Sequence, residues 1–247
     1  MGTMTALKSG IHKTALNRLG LIPRVAALYV QSNGAYYKLP GVEPWGLPHR
    51  DAREYAGPWP VVAHPPCERW GRYWSGGPSH AGTYRKGDDG GCFAAALASV
   101  RTWGGVLEHP ADSSAWAAHG LLPPPRKGGW VAAGDGIGWT CRVEQGNYGH
   151  LAAKPTWLYA VSCTLPELTW GPAPETWKGD MTRSVRWRAR AEREGVCVML
   201  SRAQRAATPP AFRDVLLAMA RTVKAPNVVS PKVAASDVRQ ELERQAQ

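Results

Sequence analysis

The stretch Cys92–Pro110, CFAAALASVRTWGGVLEHP, determines which type of fold this sequence can adopt. Its alanine-rich first part places Phe93, Leu97 and Val100 at the spacing of one helical face, which predicts a helix. A Gly-Gly pair ends that helix, and the apolar run Val106–Pro110 that follows is typical of a buried strand. The stretch therefore predicts a helix and a strand joined by a tight turn.

The sequence before this stretch completes a larger unit. Val61–Ala63 is a short apolar strand candidate, and the segment Glu68–Gly91 after it is an irregular loop rich in glycine, serine and charge. This strand, the loop, the helix Cys92–Trp103 and the second strand form a βαβ unit with parallel strands and a right-handed crossover. We therefore predict an α/β fold, a Rossmann-like three-layer sandwich with a largely parallel central sheet.

Further elements are predicted on both sides of the βαβ unit. Val25–Gln31 is a strand candidate, and the segment 35–46 a second short strand followed by a Pro/Gly-rich loop. Toward the C-terminus the candidates are strands within 139–150 and 155–163, an Arg-rich helix over Thr182–Glu194, and a last helix with Thr208 as N-cap and Pro209-Pro210 in its first turn. These elements place one α/β catalytic-type domain over residues 24–222, between a basic arm (1–23) and a linker with a C-terminal tail (223–247).

The overall charge points to a polyanionic partner. The chain of 247 residues carries 30 Lys and Arg against 19 Asp and Glu, a formal net charge of +11. Such a surplus favours nucleic acid, and we expect DNA as the partner, with no protein partner inferable. Excess charge that only aids solubility is the alternative.

Cysteine spacing and hydropathy exclude several other classes. The five cysteines are scattered without a CxxC pair, so neither a disulfide framework nor a metal site is predicted. No apolar run reaches the length of a membrane span, and the N-terminus lacks the layout of a signal peptide. We expect a cytoplasmic protein that does not enter the membrane.

Polar residues follow the ends of predicted strands in two neighbouring places. The strand Val61–Ala63 runs into His64-Pro65-Pro66-Cys67, and the next strand contains Glu108 and His109 just before its final proline. Ligands of α/β sheets bind outside the carboxyl ends of strands, so Cys67 and Glu108 are expected to converge on one pocket. A third polar stretch, Asn147–Tyr159, precedes and enters a later strand candidate.

These three stretches, PPC, EHP and YGHLAAKPTWLY, occur in the order seen in a known family. Together they resemble the catalytic half of the cytosine-C5 DNA methyltransferases, and more closely short phage-encoded proteins of that type. The resemblance implies that Cys67 is a nucleophile that adds to C6 of a flipped cytosine, and that Glu108 binds the base edge. It also matches Tyr148, Gly149 and Lys154 to a later motif near the pocket.

The resemblance does not extend to the cofactor. The turn after the first strand, YVQSNGAYYKLPG, is a poor counterpart of the Gly-rich turn that holds S-adenosylmethionine in that family. We therefore expect no cofactor, and keep S-adenosylmethionine for the alternative of a divergent methyltransferase-like enzyme. Deamination of a base needs a zinc site with His and Cys ligands, and the sequence offers none.

Hydrolysis of the N-glycosidic bond needs no cofactor and is the leading expectation. It requires a carboxylate or an oriented water near the sugar, and Glu108, Asp112 and His109 are candidates for this work. We thus expect a DNA glycosylase-like enzyme that excises an ordinary or modified base, in phage or anti-phage biology. A non-enzymatic DNA-binding module is the competing class, and an enzyme for free nucleotides a third.

The remaining candidates are expected to bind the base or the DNA backbone. His64, Pro66 and Lys154 would line the base pocket and Tyr148 would stack on the base, although each also has an ordinary structural explanation. Basic side chains on the loop and on the Arg-rich helix would contact phosphates, and a solvated surface is the alternative for them. They are Arg85, Lys86, Arg183, Arg186 and Arg190.

Overall fold

The protein is described here from a computed structural model. The structure describes residues 24–76, 78–80, 82–173, 186, 193 and 202–224. Within this part a seven-stranded sheet has the order β2-β1-β3-β4-β7-β6-β5. The strands are β1 (Val25–Leu28), β2 (Val42–Trp45), β3 (Val61–Ala63), β4 (Gly105–Pro110), β5 (Val131–Ala132), β6 (Trp139–Glu144) and β7 (Pro155–Val161).

The sheet has a parallel half and an antiparallel half. Strands β2, β1, β3 and β4 are parallel neighbours, as the βαβ unit predicts. Strand β7 is antiparallel to both β4 and β6, and β5 is antiparallel to β6 at the edge. The carboxyl ends of β1, β3, β4 and β6 and the beginning of β7 therefore meet at one edge of the sheet.

Helices cover both faces of this sheet. The described helices are α1 (Cys92–Trp103), α2 (Ala115–Ala118), α3 (Arg202–Ala206) and α4 (Pro210–Arg221). Helix α1 packs through Phe93 and Leu97 on one face, in a core that also contains Leu107. Helix α4 packs through Phe212 and Leu216 on the other face, against Val106 and Leu158. The predicted α/β three-layer sandwich is confirmed, with helix α1 at its predicted bounds.

Some element boundaries differ from the prediction. Strand β1 ends at Leu28, because Tyr29 takes a left-handed backbone conformation with φ of 59°. The N-cap of α4 is Pro209 and not Thr208, and no side chain satisfies the first helical N–H groups. In the segment 35–46 only Val42–Trp45 is a strand, while the part with Tyr36 forms turns.

Several predicted segments fall outside the described residues. The basic arm (1–23), most of the tail (225–247), and Arg183 and Arg190 of the Arg-rich helix belong to this group. Arg186 and Arg193 are described as helical and exposed. In the part of the chain that the structure covers, no helix has the length and apolar character needed to cross a membrane.

Candidate functional site

The main candidate site lies where the strand order of the sheet reverses. The chain passes from β1 to β2 on one side and returns to β3 on the other side of β1. In α/β sheets, ligands bind outside the carboxyl ends of strands at such a point. A cavity of about 640 Å³, the strand-end cavity, is found there. It is lined by Tyr29, Val30, Gln31, Gly34, Ala35, Tyr36, His64, Pro65, Pro66, Cys67, Glu68, Glu108, Pro110, Lys154, Arg205, Ala206, Ala207 and Thr208.

Five residues selected from the sequence line this cavity together. They are His64, Pro66, Cys67, Glu108 and Lys154. They come from three separate stretches, after β3, within β4 and before β7. The structure thus brings together residues that are up to ninety positions apart in the chain, as expected for Cys67 and Glu108.

Glu108 is the buried charge of the strand-end cavity, with only 7% of its surface exposed. Its Oε2 lies 2.8 Å from Nδ1 of His64, and its Oε1 accepts a hydrogen bond of 3.0 Å from Gln145. Burial alone would raise the pKa of Glu108. The hydrogen bond from His64, the charge that His64 carries when it is protonated, and a smaller contribution from Lys154 outweigh burial and lower the pKa of Glu108 to about 2. The carboxylate is therefore ionised at neutral pH.

His64 connects this carboxylate to a tyrosine. Because an ionised carboxylate can only accept hydrogen bonds, we assign the proton of His64 to Nδ1, facing Glu108. The other ring nitrogen, Nε2, lies 2.7 Å from Oη of Tyr36. Burial, and next the charge of Glu108, raise the pKa of Tyr36 well above its ordinary value. Tyr36 therefore keeps its phenolic proton at neutral pH.

Gln145 holds Glu108 from the other side. Its Nε2 donates to Oε1 of Glu108 and, over 2.8 Å, to Oγ1 of Thr156. Thr156 in turn donates to the carbonyl oxygen of Lys154. Both amide hydrogens of Gln145 are thus used, which fixes the amide orientation and the position of Oε1 of Glu108.

Cys67 lies at the exposed rim of the strand-end cavity, beyond the two prolines. Its carbonyl oxygen accepts from the backbone N–H groups of Trp70 and Gly71, so a tight turn holds the residue. Partial burial of the thiol, and next the negative charge of Glu108, raise the pKa of Cys67. The thiol is therefore protonated at neutral pH, and a nucleophilic role requires a group that accepts its proton.

Lys154 joins the strand-end cavity to the C-terminal segment. Its Nζ donates to the carbonyl oxygens of Ala206 and Ala207, at 3.0 and 2.9 Å. Burial lowers the pKa of Lys154, although the charge of Glu108 opposes this effect. The lysine closes one wall of the cavity by satisfying carbonyls at the end of α3.

His109 and Asp112, two candidates for excision, do not line the strand-end cavity. His109 is completely buried on the opposite face of the sheet, between Phe93 and Trp116. Its burial lowers its pKa to about 4, although the charge of Glu108 and the nearby carbonyl of Pro66 oppose this effect. Asp112 is exposed in the turn after β4, with a left-handed backbone conformation.

The other predicted contacts also lie away from this cavity. The ring of Tyr148 packs against Phe212, with centroids 5.2 Å apart, and its hydroxyl accepts from the backbone N–H of Thr169. Arg85 and Lys86 are exposed on the loop before α1. Among the basic residues near the cavity, the exposed Arg205 is part of its lining.

Two residues of the site were missed by the sequence analysis. Tyr36 lies in a turn of a segment predicted as a strand, and no sequence signal marks it. Gln145 could have been found, because it continues the alternation of Cys141 and Val143 along β6 and so faces the same side of the sheet.

Metal sites and known relatives give no further guidance. Among the residues that the structure describes, no group of three His, Cys, Asp or Glu side chains could hold a metal ion. No protein-family model, curated protein or solved structure matches this chain.

Proposed function

We propose that this protein is an enzyme that acts on a nucleobase of DNA, bound in the strand-end cavity after extrusion from the helix. One observation carries the proposal: the PPC, EHP and Lys154 stretches, which resemble base-handling motifs, line one cavity at the switch point of the sheet. Enzymes that modify a base must take it out of the duplex into such a pocket. The net charge of +11 supports a polyanionic partner.

The charge state of Glu108 supports a base with an amino group. An ionised carboxylate accepts hydrogen bonds, and in base recognition Glu pairs with the exocyclic amino group of cytosine. Each oxygen of Glu108 already accepts one bond, from His64 or Gln145, and retains the capacity for another. Cytosine, which the motif resemblance also implies, is the base we propose.

The geometry favours Cys67 as the group that attacks the base. Glu108 is buried and Cys67 is at the rim of the same cavity, whereas His109 and Asp112 do not line it. In the step that we propose, a bond forms between Sγ and C6 of cytosine and the C5=C6 double bond becomes single. The thiol proton is taken up within the cavity and a proton is delivered to C5. Reversal releases a C5 hydrogen, so this hydrogen exchanges with water.

Excision of the base remains a second candidate on the strength of Glu108. A carboxylate that stays ionised in a buried site can stabilise the positive charge that develops on the sugar when the glycosidic bond breaks. This chemistry requires neither a methyl donor nor a metal. It differs from thiol addition in its product, because it leaves an abasic site in the DNA strand.

S-adenosylmethionine does not fit the residues that face the cavity after β1. In α/β sheets an acidic side chain commonly binds the ribose of a nucleotide-type cofactor. Between β1 and β3 the lining residues are Tyr29, Val30, Gln31, Gly34, Ala35 and Tyr36, so neither the turn after β1 nor the end of β2 supplies an acidic side chain to the cavity. No step of the proposal therefore uses a methyl donor.

The experiment uses duplex DNA that carries tritium at C5 of cytosine, incubated with the full chain without cofactor. Release of tritium to water measures thiol addition, and strand breaks after heating in alkali measure excision. We expect release that Cys67→Ser abolishes, while the matched control Cys92→Ser, outside the cavity lining, retains it. Alkali-labile sites lost in Glu108→Gln but not in Cys67→Ser would establish excision instead. DNA binding without either product would leave a non-enzymatic binding module.

A further inference from the structure

Attack by Cys67 on a base requires that the proton of its thiol be removed. Its thiol is protonated at neutral pH, so a group in the strand-end cavity has to accept the proton. Glu108 is a weak base, because its pKa is about 2 and both of its oxygens already accept hydrogen bonds. The efficiency of a general base falls when its pKa lies far below the working pH.

A continuous chain of hydrogen-bonding groups lines the same cavity as this thiol. It runs from Oη of Tyr36 to Nε2 of His64 over 2.7 Å, and from Nδ1 of His64 to Oε2 of Glu108 over 2.8 Å. Tyr36, His64 and Glu108 all line the same cavity as Cys67. The order of carboxylate, imidazole and hydroxyl is that of a catalytic triad, in which the carboxylate fixes the tautomer and stabilises the imidazolium.

We propose that Tyr36, His64 and Glu108 form a proton relay that serves Cys67. The inference rests on the proposed function, since it supplies the proton transfers for attack on the base. When Sγ bonds to C6, the thiol proton passes to Oη of Tyr36 while the phenolic proton of Tyr36 passes to Nε2 of His64. The imidazolium that results is stabilised by Glu108. The reverse transfer then delivers one proton to C5, so protons and electrons balance without a further reactant.

Tyrosinate is not required at any point of this relay. Tyr36 receives one proton as it gives another, so the high pKa that burial imposes on its hydroxyl does not oppose the transfer. When His64 is neutral, its Nε2 is the acceptor that faces Tyr36, because Nδ1 carries the proton toward Glu108. The starting state therefore already has the orientation that the transfer needs.

The surrounding structure holds the two ends of the relay in place. Nη1 of Arg213 on α4 donates to the carbonyl oxygen of Ala35, over 2.9 Å, and so fixes the turn that carries Tyr36. Gln145 donates a hydrogen bond to Oε1 of Glu108, the oxygen that does not face His64, and a second hydrogen bond to Thr156. Gln145 and Arg213 are thus positioning residues, which act on the proton path through their neighbours.

The first test compares two adjacent tyrosines in the tritium-release assay. We expect Tyr36→Phe to slow release by about 100-fold, the lower range for loss of a general acid or base, with unchanged affinity for the duplex. Tyr37→Phe is the matched control, because Tyr37 does not line the strand-end cavity, and it should retain the rate. We also expect the solvent deuterium isotope effect of the wild type to shrink in Tyr36→Phe. Release by Tyr36→Phe at the wild-type rate would overturn the relay and leave the role of Cys67 intact.

The second test does not depend on activity. In the full chain labelled with nitrogen-15, the imidazole of His64 should carry a hydrogen-bonded proton on Nδ1, seen as a downfield proton resonance. Glu108→Gln should remove that resonance, whereas Tyr36→Phe should keep it. A neutral His64 with its proton on Nε2 would overturn the relay even if DNA chemistry were established. Absence of both tritium release and DNA binding, with the Nδ1 proton present, would instead overturn the proposed function.

Discussion

Glu108 and His109 are adjacent residues on β4, and the structure gives them opposite environments. Glu108 faces the side of the sheet covered by α4 and borders the strand-end cavity with donors on both oxygens. His109 faces the side covered by α1, where its ring is closed off between Phe93 and Trp116. Its ring nitrogens have no hydrogen-bond partner of normal geometry within the described residues. One position along a strand therefore separates a carboxylate of the strand-end cavity from an imidazole of the core.

The end of β4 therefore borders the cavity on one face of the sheet and the aromatic core on the other. Successive side chains of a strand point to opposite sides of the sheet. On the α4 side the end of β4 is open, and polar neighbours from β3 and β6 converge there. On the α1 side, aromatic rings fill the same level of the sheet. A motif such as Glu-His-Pro thus contributes one residue to the site and one to the core.

The largest expected effect is a difference between Glu108 and His109 variants in the rate of tritium release. Glu108→Gln keeps the shape of the side chain but removes the charge that, in the proposed function, binds the base and stabilises the imidazolium of His64. We expect the rate of tritium release to fall by about 100- to 1,000-fold, the range seen when one electrostatic group is removed. His109→Phe should retain nearly the full rate. Equal losses in the two variants would show that both residues serve the reaction.

The second prediction concerns the packing of His109. Removal of its ring in His109→Ala leaves a cavity beside Phe93 and Trp116, and we expect a loss of about 3 kcal/mol in the free energy of unfolding. His109→Phe fills the same space without a polar group in the core, so the change should lie within about 1 kcal/mol of zero. Urea unfolding curves of both variants measure this. A loss in His109→Phe as large as that in His109→Ala would reveal a hydrogen bond of His109 essential to the fold.

The third prediction is that Glu108 and His109 each cause a loss of folding stability at acid pH, in a different pH range. The pKa of His109 is lowered from 6.5 to about 4. Between these two pH values the histidine is protonated in the unfolded chain but neutral in the folded chain. Stability is lost as the pH falls through this interval, by up to about 3 kcal/mol. The pKa of Glu108 is lowered from 4.5 to about 2, and the corresponding loss occurs as the pH falls through that lower interval.

Two variants separate these windows in urea unfolding measured across the acid range. His109→Phe should flatten the fall in stability between about pH 6.5 and 4, and Glu108→Gln the fall between about pH 4.5 and 2. Both variants should remain stable enough at neutral pH to serve as each other's control. If Glu108→Gln also flattened the upper window fully, the two residues would titrate as one unit across the sheet.

The smallest expected effect concerns Lys154, on the face of the sheet that carries the strand-end cavity. Lys154→Met keeps the length of the side chain but removes the donor to Ala206 and Ala207. We expect a loss of about 1 kcal/mol, typical of hydrogen bonds near the surface, and faster amide exchange around α3. Exchange at His109 and Trp116, on the other face, should not change. Faster exchange on both faces would show that the C-terminal segment stabilises the whole sheet.

The sequence predicts the parallel half of the fold well and the antiparallel half less completely. Helix α1 is confirmed at its bounds because apolar periodicity, alanine and two glycines agree there. The placement of β7 between β4 and β6 depends on pairing between distant segments, which no local pattern reports. Thr208 has the chemistry of an N-cap, yet Pro209 occupies that position with its fixed backbone angle.

The residues of the candidate site also differ in how far the sequence predicts them. Cys67, Glu108 and Lys154 could be selected from motif order, and the structure brings them to one cavity. Tyr36 could not be selected, since a tyrosine in a turn becomes significant only through its contact with His64. The opposite orientations of Glu108 and His109 follow from the two-residue period of a strand, but which face carries the cavity depends on where α4 packs.

The hydrogen-bonded chain from Tyr36 through Glu108 to Gln145 also has a consequence for folding kinetics. Its members come from residues 36, 64, 108 and 145, and it is complete only when β1, β3, β4, β7 and β6 are all paired. Pairings between segments so far apart raise the contact order of the chain and slow its folding. During refolding we expect helix α1 to form early from local contacts and the geometry around Glu108 to be established late. Recovery of the tritium release proposed above should therefore follow the slowest refolding phase, after most of the helical signal has returned.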